Sequence, residues 1–103
     1  MQVIDDLALI EEAKRTQSLF VILVTQDSCG VCHAIEGPLS AILADKEIPA
    51  FQIKANNLPQ VASYLEVLTV PVVLIFQYDR EIHRQARFID LMRIERLLTQ
   101  VAQ

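Results

Sequence analysis

Glycine and cysteine are scarce in this chain of 103 residues, which contains two of each. Two cysteines cannot form the disulfide scaffold that stabilises many small secreted proteins. Disordered segments are typically poor in apolar residues, whereas 52% of this chain is hydrophobic. The sequence therefore predicts one globular domain, residues 1–103, that is large enough to bury a substantial core.

Long apolar runs and clusters of basic residues are also missing. The longest apolar runs are far shorter than the ~20 residues that cross a bilayer. The chain has nine Lys and Arg against thirteen Asp and Glu, a net charge of −4, and no basic cluster that would indicate nucleic-acid binding. Residues 1–6 contain neither a positive segment nor a long apolar core, so we expect no signal peptide. These absences predict a cytoplasmic protein that binds neither membranes nor nucleic acid.

Both cysteines lie in one short segment, Cys29-Gly30-Val31-Cys32. The segment follows an apolar run at residues 19–24, which predicts a buried strand. It precedes an apolar-periodic stretch at residues 34–44, which predicts a helix. A Cys-x-x-Cys motif between a strand and a helix is typical of a redox-active dithiol.

The two cysteines are expected to differ in reactivity. At the exposed tip of a helix, free N–H groups and the helix dipole favour negative charge. Such a position lowers a thiol pKa from about 8.5 toward ~7 or below, and the thiolate is the reactive form. Cys29 is therefore predicted to be the nucleophile, and Cys32, one turn inside the helix, the resolving thiol.

Apolar spacing and turn residues along the chain predict the element order αβαβαββα. The predicted elements are a first helix after Asp5 or Asp6, a strand at 19–24, a helix at 30–44, a strand at 48–55, a short helix at 58–65 capped by Asn56 or Asn57, strands at 70–76 and 82–88, and a last helix capped by Asp90. The first two strands form a parallel unit and the last two a hairpin. This order predicts a mixed sheet with helices on both faces.

Two other roles for the cysteines remain open from the residues alone. Cys29 and Cys32 can be inert core residues, or they can bind a metal ion together with His33. A structural zinc site usually has four ligands from two separated pairs, and only His83, on a distant predicted strand, remains to complete one. We therefore expect no metal and no organic cofactor. His33 can instead stabilise a thiolate when protonated, or be a solvated helix residue.

The chain resembles the thioredoxin family in its Cys29–Cys32 motif, its element order and the Thr69-Val70-Pro71 segment before the hairpin. The resemblance implies an α/β thioredoxin-like fold with a mixed sheet of about four strands flanked by helices. It leaves room for only a short or absent N-terminal strand. It also implies a cis Val70–Pro71 bond, with Pro71 beside Cys29.

The resemblance implies a thiol-disulfide oxidoreductase that reduces or exchanges disulfides of proteins or small molecules. Electrons would return from a reductase or a small thiol. Ser28, Val31, Val70 and Pro71 would dock an extended segment of the substrate. The alternative is a thioredoxin-fold binding or adaptor protein whose Cys-x-x-Cys motif senses redox state without efficient turnover.

The chain departs from the family pattern around the motif. Ser28 stands where the family usually has a Trp before the first cysteine, and Val31 stands where it usually has a Pro between the cysteines. The family's helix-kinking proline falls one residue later in this chain, at Pro38. Leu23 and Gln52 stand where the family places a buried acid and its lysine partner. Because the acid is the group thought to exchange a proton with the second cysteine, we expect a slow resolving step that accelerates with rising pH.

Overall fold

The computed structural model describes residues 1–102, which form five strands and four helices. In chain order these are β1 (Gln2–Val3), α1 (Ala8–Thr16), β2 (Phe20–Thr25), α2 (Gly30–Asp45), β3 (Ala50–Lys54), α3 (Val61–Tyr64), β4 (Val72–Gln77), β5 (Arg80–Ala86) and α4 (Leu91–Val101). Four longer strands form the sheet as predicted, and β1 adds a fifth of only two residues.

The sheet is mixed, as predicted, with the strand order β1-β3-β2-β4-β5. The pairs β1–β3 and β2–β3 are parallel, whereas β4 is antiparallel to both β2 and β5. β2 lies at the centre of the sheet and all six of its residues are buried. Because the cysteine motif follows this strand directly, the most buried strand positions the site.

Side chains alternate between the two faces of β2, and each face has its own apolar core. Ile22 and Val24 belong to the core under α1 and α3. Val21 and Leu23 belong to the core under α2 and α4, with Leu39 and Leu98 from those helices. The helices therefore cover both faces of the sheet, and α2 is fixed to it by fully buried leucines.

The two strands of the C-terminal hairpin start elsewhere than the sequence predicts. β4 begins at Val72 rather than at residue 70, since Pro71 has no N–H to donate to the sheet. β5 covers Arg80–Ala86 rather than residues 82–88. Arg87 has a positive φ of 67°, which ends the extended backbone. Phe88 consequently lies beyond the strand and is 86% exposed.

Of the caps predicted for α3 and α4, the cap of α4 is confirmed and the cap of α3 is wrong. The Asp90 carboxylate accepts a hydrogen bond from the Arg93 N–H at 3.0 Å and caps α4, as predicted. The expected cap of α3 by Asn56 or Asn57 is wrong, because α3 begins at Val61 and its N-cap Gln60 makes no side-chain hydrogen bond. Asn56 binds the loop before the cysteines instead.

Candidate active site

Cys29 and Cys32 stand at the first turn of α2 and are joined by a disulfide bond, with their Cα atoms 5.2 Å apart. Cys29 is the N-cap residue, and its Sγ accepts a hydrogen bond from the Cys32 N–H at 3.1 Å. Cys29 is partly exposed, whereas Cys32 is 0% exposed beneath the helix. The outer cysteine is thus accessible to another molecule and the inner one is accessible only to Cys29.

Pro71 lies at the same end of the sheet as the motif. Val72 pairs with Val24 on β2, so the next step along both strands brings Pro71 beside Thr25, just before the loop to Cys29. The Val70–Pro71 peptide bond is cis, as predicted. The Pro71 carbonyl accepts the Arg87 N–H at 2.8 Å. Within residues 1–102 the N–H and the carbonyl of Val70 make no hydrogen bond to another backbone group.

Ser28 and Val31 are exposed on either side of Cys29. Val31 is 57% exposed and lines a shallow groove of about 330 Å³ together with Ile35 and Phe88. Phe88 is not predicted as a site residue, because its apolar pattern assigns it to a strand. Its position directly after the hairpin was the available signal, since residues past a strand end often lie at the rim of a site.

Asp27, in the loop before the motif, is held by two residues at the end of β3. Its carboxylate accepts a hydrogen bond from Asn56 at 2.9 Å and lies 3.3 Å from Lys54 Nζ. The Asn56 hydrogen bond and the Lys54 ammonium lower the pKa of Asp27 below its ordinary value of 3.8. The Asp27 carbonyl also lies 3.2 Å from His33 Nε2, so this network links the loop to α2.

Leu23 and Gln52 are direct partners in the β2–β3 register, as their family positions predict. Both are buried, and neither side chain is ionisable. The Gln52 amide instead donates hydrogen bonds to Thr25 Oγ1 at 3.1 Å and to Glu36 Oε1 at 2.9 Å. Glu36 is not predicted as a site residue, although its position four residues after Cys32 places both on one helix face.

The described residues contain no group of three or more His, Cys, Asp or Glu side chains arranged to hold a metal ion. His83 lies on β5, where it pairs with Ile75, and burial followed by the Arg93 charge lowers its pKa below 6.5. In the same residues, no helix is long and apolar enough to span a membrane.

Solved thioredoxin structures superpose on nearly the whole chain. A mutant thioredoxin from Halobacterium salinarum NRC-1 gives a TM-score of 0.87 at 16% identity, covering 99% of this chain and 90% of that one. Plasmodium falciparum thioredoxin gives 0.86 at 9% identity, covering 97% and 98%. At these identities the likeness establishes a thioredoxin-like fold.

No family model matches the chain. The thioredoxin-like protein YdfQ from Bacillus subtilis (strain 168) is 32% identical over 96 residues, which cover 92% of this chain and 86% of that protein. The aligned residues cover nearly the whole fold. The chain therefore belongs to the thioredoxin family and carries the Cys-x-x-Cys pair of a thioredoxin-like oxidoreductase at Cys29 and Cys32.

Proposed function

We propose that this domain, residues 1–103, reduces or exchanges disulfides with Cys29 as the nucleophile and Cys32 as the resolving thiol. The Cys29 thiolate attacks one sulfur of the substrate disulfide, and the other sulfur leaves as a thiolate. Cys32 then attacks Cys29 Sγ, which breaks the mixed disulfide and releases the second substrate thiol. The substrate gains the electron pair that the two cysteines lose when their own disulfide forms.

The observation that supports these roles best is the unequal exposure of two linked cysteines at a helix start. Cys29 is accessible, and its sulfur already accepts the Cys32 N–H. That hydrogen bond and the N-terminus of α2 favour a thiolate at Cys29. Cys32 is 0% exposed, so an external disulfide reaches Cys29 first.

The docking surface in this proposal is formed by the exposed Ser28 and Val31 and the partly exposed Val70, with Phe88 added at its edge. Pro71 is itself buried, so its proposed part is to fix the backbone of Val70 through the cis bond. The Val70 backbone N–H and carbonyl have no backbone partner within residues 1–102, and Val70 is partly exposed, which supports pairing with an extended substrate segment. Val31 and Phe88 line one groove, and they supply apolar contact next to the Cys-x-x-Cys segment of which Val31 is part.

The partners we propose are a protein or small molecule that contains a disulfide and a reductase or small thiol that returns the electrons. Family membership supports this class of substrate and donor. The reaction uses no metal and no organic cofactor, because thiol–disulfide exchange needs only the thiols themselves. A cytoplasmic location fits this role, since cytoplasmic thiols are kept reduced and the oxidised pair can be recycled there.

An insulin-reduction assay with dithiothreitol as the electron donor tests the proposal. The wild-type protein should accelerate insulin precipitation over dithiothreitol alone, and Cys29→Ser should not. Ser18→Ala, an exposed change just before β2 and at the opposite end of that strand from the motif, is a control that should retain the wild-type rate. A wild-type protein that forms and loses its disulfide without accelerating insulin reduction would contradict turnover and support the adaptor alternative.

A further inference from the structure

A buried polar chain links the sheet to the carboxylate of Glu36, one turn after Cys32. Gln52 on β3 donates to Thr25 Oγ1 on β2 and to Glu36 Oε1 on α2. Thr25 and Gln52 are 1% and 7% exposed. A buried amide that bridges two partners has little freedom to move, so it holds the Glu36 carboxylate against the sheet.

Helix geometry places Glu36 on the same face of α2 as Cys32. Residues four apart lie one above the other, about 5–6 Å between Cβ atoms. Side chains in a helix lean toward its N-terminus, which for Glu36 is the direction of Cys32. Cys32 faces the sheet because it is fully buried, and Glu36 reaches the same side through its bond to Gln52.

The other oxygen of Glu36 lies near an exposed side chain, and the Glu36 side chain itself is 30% exposed. Glu36 Oε2 lies 3.9 Å from His33 Nδ1, and the His33 side chain is 62% exposed. The Glu36 carboxylate therefore contacts the buried Gln52 amide with one oxygen and lies near the exposed His33 imidazole with the other. A proton accepted near Cys32 has a route to water by way of Glu36 and His33, without passing Leu23.

We propose that Glu36 is the proton acceptor for Cys32 and that Gln52 is its positioning residue. This inference rests on the proposed oxidoreductase function. When Cys32 resolves the mixed disulfide, its thiol proton moves to Glu36 and its sulfur bonds to Cys29 Sγ. The bond between Cys29 and the substrate sulfur breaks, and the released thiolate takes a proton from Glu36 or from water.

The residues around Glu36 are uncharged, paired with another residue or exposed, so Glu36 is the group that we assign as the proton acceptor. On β2 and β3 the residues that face it, Thr25 and Gln52, carry no charge. Lys54, two residues after Gln52, pairs with Asp27 at 3.3 Å, and Asp27 belongs to the loop before the motif. On β1 the partner of Gln52 is the apolar Val3. On α2, the ionisable side chain of His33 lies near the Glu36 carboxylate, with His33 Nδ1 at 3.9 Å from Glu36 Oε2.

The proposal changes the expectation of a slow resolving step. The apolar Leu23 on β2 leads to the expectation that Cys32 has no internal base. In this proposal Glu36 supplies the base from α2. A positioned proton acceptor contributes ~10²–10⁴-fold to a rate, of which water and His33 can recover part. Removing the Glu36 carboxylate should therefore slow resolution at neutral pH by at least about tenfold.

The test is single-turnover reduction of hydroxyethyl disulfide by the reduced protein, quenched with acid and followed by intact mass. The mass of the mercaptoethanol adduct on Cys29 separates its formation from its resolution. Glu36→Gln keeps an oxygen that accepts from Gln52 but cannot take a proton. It should leave adduct formation unchanged and slow adduct loss at neutral pH, with the difference closing at alkaline pH where Cys32 ionises unaided.

Glu47→Gln, the same change just beyond the opposite end of α2, is the matched control and should match the wild type at every pH. Leu23→Asp in the Glu36→Gln background should restore fast resolution, because it supplies a carboxylate from the strand. Gln52→Met should slow resolution at neutral pH by a smaller factor, since it frees Glu36 without removing it. A Glu36→Gln protein with the wild-type pH profile of resolution would overturn the proposal. A wild type that forms no adduct would overturn the proposed function itself.

Discussion

Leu23 on β2 lies directly opposite Gln52 on β3, and both side chains are buried under the helix that carries the cysteines. The resemblance to the thioredoxin family implies a buried acid and a lysine at these two positions. An apolar residue beside an amide avoids the desolvation penalty of a buried charge, which costs several kcal/mol per ion. The polar contact at this position is made by the Gln52 amide, which donates hydrogen bonds to Thr25 and Glu36.

The first prediction concerns the order in which the two thiols react. Alkylation of the reduced protein with iodoacetamide at mildly acidic pH should label Cys29 well before Cys32. Cys29 is partly exposed at the N-terminus of α2, whereas Cys32 is fully buried. Peptide mass analysis of partially labelled protein distinguishes the two sites. Equal labelling, or Cys32 first, would refute the assignment of Cys29 as the nucleophile.

The second prediction concerns the docking groove. Val31→Ser should raise the KM for a protein disulfide by about fivefold with kcat unchanged, because the lost apolar contact is worth about 1 kcal/mol, less than full burial of a Val. The KM for hydroxyethyl disulfide should change much less, since that substrate is too small to cover the groove.

Val3→Ser is the matched control for the groove. Val3 is 56% exposed, nearly the same as Val31 at 57%, but it lies on the edge strand β1. The control should leave both KM values unchanged. An equal rise for the two variants, or a fall in kcat for Val31→Ser alone, would show that Val31 does not act by substrate contact.

The third prediction concerns Asp27 in the loop before the motif. Asn56→Ala should raise the pKa of the Asp27 carboxyl toward 3.8, because the Asn56 hydrogen bond is the largest cause of its lowered value. A carboxyl carbon NMR titration of wild type and variant measures this directly. Ser63→Ala, an exposed change on α3, is the control. An unchanged or lower pKa in Asn56→Ala would contradict the assignment.

The same shift has a defined effect on stability. The folded-state pKa of Asp27 lies below its unfolded value, so the native state is stabilised by the charged carboxylate above pH 3.8. This stabilisation is lost as the pH falls through the folded-state pKa. The difference in free energy of unfolding between wild type and Asn56→Ala should therefore shrink in acid, as urea denaturation at neutral and low pH can measure.

Much of the fold follows from local sequence signals. The run at residues 19–24 predicts β2 because a strand covered on both faces needs apolar residues at every position. Asp90 predicts the start of α4 because its carboxylate satisfies a free N–H of the first turn. The Cys-x-x-Cys motif predicts the site because its position between a strand and a helix fixes both cysteines at a helix start.

The rest depends on contacts between segments that are distant in sequence. Asn56 resembles a helix cap locally, but Asp27, on another loop, binds its side chain. Phe88 continues an apolar pattern locally, yet the positive φ of Arg87 ends the strand before it. Glu36 looks like a solvated helix residue until the sheet register brings Gln52 beneath it.

Trapping the mixed disulfide decides whether Cys29 attacks and Cys32 resolves. Cys32→Ser should react with a disulfide-containing protein such as insulin and accumulate a covalent adduct through Cys29, because no second thiol releases it. Cys29→Ser should accumulate none, since its remaining thiol is buried. Intact mass under non-reducing conditions measures both. An adduct on Cys29→Ser equal to that on Cys32→Ser, or no adduct on either, would contradict the account.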